Sequence, residues 1–263
     1  MVKSVDCQDF GFLYGFSLFE TFLVDDKGDV FLLESHINRL LDSMEFFKFK
    51  EFYTKEYIKD FILGYIKDND SHGKIMRVTV SYGNDNIGIK PQIIITARDN
   101  RLTKDTYEKG YKIQVSNVRK SDNSFILRHK TSNYMENHII GKEVFEEGFD
   151  DALFLNANEK ITETTKCNIF FVKSGTLYTP SIECGLLPGI IRGWVIKKAL
   201  NLGVKVCQGK YDFDQLLGAD EVFLTNSVVG IMKVSSIGSS LCKGEEVIVT
   251  QLQKECNITC DVV

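Results

Sequence analysis

The chain has 263 residues, 43% hydrophobic and 26% charged, an ordinary globular composition with length for one large domain or two medium ones. Its 32 Lys and Arg are spread among 36 Asp and Glu for a net charge of -4, so no basic stripe stands ready to track a phosphate backbone and nucleic acid is not expected as a partner. No apolar run reaches the ~18 residues of a membrane span, and the start MVKSVDCQDFGF lacks the pattern of a signal peptide, so a cytoplasmic protein without membrane association is expected.

Alternation in FSLFETFLV, the polar turn DDKGD and the apolar run VFLL predict a hairpin. Ile37, Leu40, Leu41 and Met44 then share one face of a helix beginning near Ser35. A second helix is expected from the N-cap Thr54, with Tyr57, Phe61, Ile62, Tyr65 and Ile66 as its apolar stripe. KIMRVTVSYG, QIIITAR and YKIQVSNV are β-branched runs separated by turn residues and read as strands. Residues 1–118 thus form an N-terminal α+β domain, and the polar, aperiodic residues 119–129 a linker to a C-terminal α/β domain over 130–263. In that second half a helix is expected over Thr131–Glu147, closed by Gly148. Strands follow at ALFLN, KITET, NIFFVKSGTLYT, KVCQG and EVFLTN, with a helix from Gly189 to Leu202 and a last one in GEEVIVTQLQKECN.

Five places carry residues suited to chemistry. Lys130 stands beside Arg128 and His129; a lysine becomes a nucleophile only when burial or a neighbouring cation destabilises its ammonium, and otherwise it is a solvated surface residue. Glu163 lies in a β-rich stretch among threonines, either on a solvated strand edge or held against a specific cation. Pro188 and Gly189 open a helix whose first N–H groups form an anion site, or simply start a helix. Arg39, on an amphipathic helix, can hold a phosphate or reach solvent, and Thr225, Asn226 and Ser227 end a strand where α/β folds often face a ligand. The seven cysteines contain no C-x-x-C pair, and no metal site is expected; Cys256 and Cys260, four apart, are the nearest approach to one.

The ordered segments YGFSLFETF, HINRLLDS, HKTSNYMENHI, ITETTKCNIFFVKSGTLYTP, LLPGIIRGWVI and ADEVFLTNS resemble the pyridoxal phosphate (PLP) enzymes of fold type IV, the class IV aminotransferases and aminodeoxychorismate lyases. The resemblance implies a two-lobed α/β (α+β) fold like that of D-amino-acid aminotransferase, bound PLP, a small-molecule substrate and a homodimer. By it Lys130 matches the lysine that carries the cofactor as a Schiff base, and Glu163 the carboxylate that keeps the pyridine nitrogen protonated. Arg39, the N–H groups of Ile190 and Ile191, and the Ser227 hydroxyl match the phosphate cradle, so the three anion signals acquire one ligand. The family's aminotransferases commonly have Gly-Ile-Thr-Arg at that helix start, where this chain has Gly189, Ile190, Ile191 and Arg192. Tyr134 stands one residue nearer the lysine than the tyrosine that meets the cofactor's phenolic oxygen in branched-chain aminotransferases.

Within the family, Thr21 matches a threonine that assists proton transfer in aminodeoxychorismate lyases, where branched-chain aminotransferases have glycine, and Thr225–Ser227 looks more like the lyases. The loop SYGNDNIGIKPQ lacks the arginine and tyrosine of well-studied lyases; Arg77, on the strand before it, meets either a substrate carboxylate or a surface salt-bridge partner. The lyase resemblance implies conversion of 4-amino-4-deoxychorismate to 4-aminobenzoate and pyruvate in folate synthesis, with Lys130 and Thr21 moving protons. An aminotransferase for branched-chain or D-amino acids is the alternative, and an inactive PLP-binding protein a second.

Overall fold

The computed structural model describes residues 4–50, 53–242, 244, 246–256 and 258. The chain divides into two compact units, Met1–Arg101 with His129–Tyr134, and Leu102–Arg128 with Met135–Val263. The expected division at residue 118 with a linker over 119–129 differs from this one. YKIQVSNVRK is a strand of the second unit, and the Lys130 segment returns to the first because its backbone pairs there.

In the first unit, α1 (Phe10–Tyr14) leads into β1 (Ser17–Leu23), followed by α2 (Leu33–Phe46), α3 (Lys55–Asp68), β2 (Lys74–Ser81) and β3 (Ile93–Asp99). The strands form an antiparallel sheet in the order β1-β2-β3. Of the expected hairpin only β1 is a full strand. VFLL contributes a single bridge, Val24 to Val30, because Leu32 takes a left-handed φ of 57° that ends extended structure and starts α2 two residues before Ser35. Thr54 caps α3, accepting from the Tyr57 N–H at 3.1 Å. The buried stripe of α3 is Ile58, Ile62 and Ile66, whereas Tyr57, expected in that stripe, is 50% exposed. Spacing i, i+4, i+8 puts the three isoleucines on one face, each worth about 1.5–3 kcal/mol of burial. They pack on Ile37, Leu40 and Met44 of α2 and on Leu18, Phe22, Met76 and Val78 of the sheet.

The second unit runs α4 (Lys104–Lys109), β4 (Tyr111–Lys120), α5 (Met135–Glu146), β5 (Asp151–Asn156), β6 (Ile161–Thr164), β7 (Asn168–Lys173), β8 (Thr176–Pro180), α6 (Ile190–Asn201), β9 (Val206–Gly209), α7 (Phe213–Leu217), β10 (Glu221–Asn226), β11 (Gly230–Ile237), β12 (Ser240–Leu241) and α8 (Val247–Glu255). Its mixed sheet has the order β10-β11-β4-β5-β6-β7-β8-β9, and an added β7–β10 pairing closes β10, β11, β4, β5, β6 and β7 into a ring. Ile113, Leu153, Ile161, Ile169, Leu224 and Met232 fill one core cluster of that ring. The helix expected from Thr131 starts only at Met135, since Thr131 bridges to Leu18 instead. Glycines stop both long helices where expected: Gly148 (φ 91°) and Gly203 (φ 77°) adopt the positive φ that side chains resist. Glu245 and Asn257 of the expected last helix lie outside the described residues, as does Cys260.

Candidate active site

The Lys130 segment is pinned to β1 by its backbone. The Phe19 N–H donates to the Lys130 carbonyl at 2.9 Å and the Ser132 N–H to the Ser17 carbonyl at 2.8 Å, around the Leu18–Thr131 bridge. This lays the half-buried Lys130 along β1, its Nζ 4.5 Å from the centre of the Phe19 ring and 5.9 Å from that of Tyr134. Arg77 Cζ lies 3.6 Å from the same Phe19 centroid, so two cations share one buried aromatic ring.

Strand register supplies the rest of that face. Leu18, Glu20 and Phe22 point toward the helices, so Phe19 and Thr21 point the other way. Thr21 pairs directly with Arg77, and Phe19 with Thr79. Arg77 donates to Thr79 Oγ1 at 3.1 Å and Ser132 Oγ at 3.4 Å, and no carboxylate of a described residue pairs with it. The salt bridge weighed for it is therefore not formed with the described residues; burial pulls its pKa down, against an opposing pull from Tyr134.

Arg39 is held from the helix side of β1. Its Nε and Nη2 donate to Glu20 at 2.8 and 2.6 Å, and Glu20 Oε2 also lies 2.6 Å from His36 Nδ1. Burial alone would raise the Glu20 pKa, but the Arg39 charge and the His36 hydrogen bond outweigh it and bring it to about 2. Burial, aided by the Arg39 and Lys130 charges and opposed by Glu20, holds His36 below its usual value. Glu20 and His36 were not singled out from the sequence. The available signal was a carboxylate between Leu18 and Phe22 on the apolar side of a strand, facing a helix with His36 and Arg39 at i, i+3.

In the second unit, Glu163 is turned by a bulge. Leu153 and Leu155, two apart on β5, face Thr164 and Ile161, three apart on β6, so one extra residue is inserted. Ile161 therefore points into the core while Glu163, which simple alternation would put on the same side, pairs with Asn168 on the opposite face. Glu163 Oε2 accepts from Asn168 Nδ2 and from the Leu187 N–H, both at 3.2 Å. On the other edge of β7, Asn168 pairs with Thr225, whose buried Oγ1 has no hydrogen-bond partner among the described residues.

Pro188 and Gly189 lead into α6, whose N-terminus has no side-chain cap. The first-turn N–H groups of Ile190 and Ile191 lie at the positive end of the helix dipole. Arg192 is turned away, donating to the Pro180 carbonyl and to Gln208 Oε1, both at 2.8 Å. Ser227 sits in the turn after β10, shaped by Asn226. Asn226 Oδ1 accepts from the Val228 and Val229 N–H groups at 2.8 Å and Asn226 Nδ2 donates to the Lys166 carbonyl at 3.2 Å.

Of the residues expected from the sequence, Lys130, Thr21, Arg39, Arg77 and Tyr134 belong to the first unit and Glu163, Ile190, Ile191 and Ser227 to the second. The first unit gathers Lys130, Arg77 and Tyr134 around Phe19, with Thr21 next along β1, and sets Arg39 apart against Glu20. No group of three or more metal-ligating side chains occurs among the described residues.

The model for amino-transferase class IV matches residues 17–237. The chain belongs to the class IV aminotransferase family. It is 29% identical over 237 residues to the aminodeoxychorismate lyase of Bacillus subtilis, covering 87% of this chain and 80% of the relative. It is 32% identical over 240 residues to a probable branched-chain-amino-acid aminotransferase of Synechocystis sp., covering 87% and 77%. Among solved structures, a putative 4-amino-4-deoxychorismate lyase from Legionella pneumophila superposes with a TM-score of 0.89 at 25% identity, covering 97% of this chain and 95% of that one. The Escherichia coli branched-chain aminotransferase gives 0.88 at 28% identity, covering 96% and 88%.

As a member, the chain is a fold type IV PLP-dependent enzyme with the expected α+β architecture. Its residues fit the cofactor. An amine beside an aromatic ring suits the aldehyde, a half-buried carboxylate suits a protonated pyridine nitrogen, and an uncapped helix start and an arginine suit a phosphate. The Thr225 hydroxyl, in register beside Asn168 and without a partner among the described residues, is the kind of buried group that a bound ligand satisfies. No described helix is long and apolar enough to cross a membrane.

Proposed function

We propose that this enzyme is a 4-amino-4-deoxychorismate lyase, releasing 4-aminobenzoate and pyruvate for folate synthesis, and that it works as a cytoplasmic homodimer. The observation that carries the reading is the pairing of Thr21 with Arg77 beside Lys130, which offers a hydroxyl, an amine and a cation with no carboxylate partner among the described residues on one face. The Bacillus subtilis and Legionella pneumophila relatives support it.

Bound PLP supplies an electron sink for the carbanion that forms at the amine-bearing carbon. Lys130 is assigned as the residue that carries the cofactor and then takes the proton from that carbon through Nζ. Thr21, across the strand pair from Arg77, is assigned to assist the passage of that proton from Lys130 to the departing enolpyruvyl group, its Oγ1 giving up one hydrogen as it takes another. Arg77 is assigned to a substrate carboxylate, since a half-buried guanidinium without a carboxylate partner among the described residues gains one on binding. Glu163, set by its bulge on the face of Asn168, is assigned to the pyridine nitrogen. Arg39, the Ile190 and Ile191 N–H groups and Ser227 are assigned to the phosphate, and Tyr134 to the rim beside Phe19.

The test is product identity. Chorismate and glutamine with an upstream aminodeoxychorismate synthase should give 4-aminobenzoate and equimolar pyruvate only when this protein is added. Steady keto-acid formation from branched-chain or D-amino acids without aminobenzoate would replace the lyase by an aminotransferase, the reading that the Synechocystis and Escherichia coli relatives favour. Arg77→Ala is expected to raise KM for the dicarboxylate substrate roughly 10- to 100-fold, the worth of one charged hydrogen bond. Steady-state kinetics across a substrate range reads it.

A further inference from the structure

Asn168 is the first residue of β7, 5% exposed, and both edges of its strand are occupied at that position. It pairs with Glu163 on β6 and with Thr225 on β10, so the side chains of Glu163, Asn168 and Thr225 form a row on one face. A side-chain amide nitrogen has two hydrogens to donate. Here Nδ2 reaches Glu163 Oε2 at 3.2 Å and the Leu187 carbonyl at 2.9 Å, while the Leu187 N–H donates to the same Glu163 oxygen at 3.2 Å. The three residues close a ring of hydrogen bonds.

The amide oxygen lies against the start of α6. A Cβ built on Gly189 would stand 2.0 Å from Asn168 Oδ1, so only glycine allows the helix N-terminus to sit there. Gly189 has φ -66° and ψ 142°, a backbone that any residue adopts, so its need is the close approach and not the conformation. One side chain thus touches both the carboxylate and the segment that presents the uncapped N–H groups of Ile190 and Ile191.

We propose that Asn168 is a positioning residue that locks Glu163 and the N-terminus of α6 into one rigid unit, so that the group on the pyridine nitrogen and the group on the phosphate are held at a fixed separation. This rests on the assignment of those two groups to PLP. Asn168 fixes the Glu163 carboxylate by donating to Oε2, and the Leu187 backbone by donating to its carbonyl. Two ends of one ligand are then read by a spacing set in the protein before it binds, which lowers the cost of ordering the site.

Titration of the apoprotein with PLP tests this in the wild type, Asn168→Ala, Gly189→Ala, Glu163→Gln and the double variant Glu163→Gln/Gly189→Ala. Asn168→Ala is expected to weaken PLP binding about 10- to 100-fold, as for loss of a hydrogen bond to a charged group. Gly189→Ala keeps the amide but displaces it, and should weaken binding in the same way and shift the absorption of the bound cofactor in the same sense. Because Glu163 and the start of α6 are held as one unit, the double variant should bind no more than about threefold worse than the weaker single one, a coupling that independent sites lack. Wild-type affinity and absorption in Gly189→Ala, with its apoprotein melting normally, would overturn the proposal, as would strictly additive losses. Should Glu163→Gln itself leave affinity and absorption unchanged, it is the assignment of Glu163 that fails. If Asn168→Ala does not fold, the Gly189→Ala arm decides alone.

Discussion

Lys130→Ala is expected to abolish the covalent hold on the cofactor and to lower turnover by at least about 10³-fold, the upper range for losing a positioned proton-transfer group. Two contributions combine. The amine is assigned both to carry PLP and to move the proton, and among the described residues no second lysine lies over the Phe19 ring to replace it. Arg77, the other cation on that ring, is a guanidinium that stays protonated and cannot serve as a base. The wild type should be yellow with a visible band that borohydride reduction fixes to the protein, and Lys130→Ala should hold PLP without that fixation. The fold should survive, because the segment is fastened to β1 through the Lys130 carbonyl and the Ser132 N–H, which the substitution leaves in place. Retained turnover in the alanine variant would move the reaction to another residue.

In the Lys130 segment the basic cluster before a helical run was legible, but the lysine alone read equally as solvated surface, and its expected role came only from the family resemblance of the ordered segments. The segment's true backbone state was not legible, since TSNY has helical neighbours in sequence and extended neighbours in space. Pairing of Thr131 with Leu18, more than a hundred positions away, decided it. The same non-local cause hid the bulge at β6. ITET reads as plain alternation, and only the count of residues against β5 shows that Glu163 leaves the face of Ile161. Tyr57 fell outside the α3 stripe because Ile58 was one position better aligned with Ile62 and Ile66, a choice that periodicity over an aromatic-rich helix left ambiguous. The anion signals at Arg39 and Gly189 were visible as residue types. What holds them, Glu20 with His36 and Asn168 with Leu187, was invisible because each brace joins different elements of the fold.

Glu20→Gln is expected to cost on the order of 3–5 kcal/mol of stability at neutral pH, the penalty for stripping one partner from a buried ion pair. Glu20 is 2% exposed and bonds two nitrogens of Arg39, so a neutral amide removes a buried negative charge from beside that guanidinium. The pH dependence has a definite sign. The Glu20 pKa falls from 4.5 to about 2 on folding, so its contribution is full above pH 4.5 and is lost as pH drops toward 2. His36 is also held below its ordinary 6.5, so the unfolded chain takes up its proton first and stability declines as pH falls below 6.5. Both groups therefore weaken the wild-type fold in acid, His36 from the higher pH and Glu20 from the lower. In Glu20→Gln the lower limb should vanish. The His36 limb should persist, because the carboxylate that favoured its charged form is gone. Urea titrations of the apoprotein from pH 7 to pH 3 read both limbs. An unchanged midpoint at pH 7 would mean that Arg39 finds another counter-charge. A lower limb that survives in the variant would place the acid-sensitive carboxylate elsewhere, with Asp151, buried and pushed upward by that burial, contributing the opposite sign.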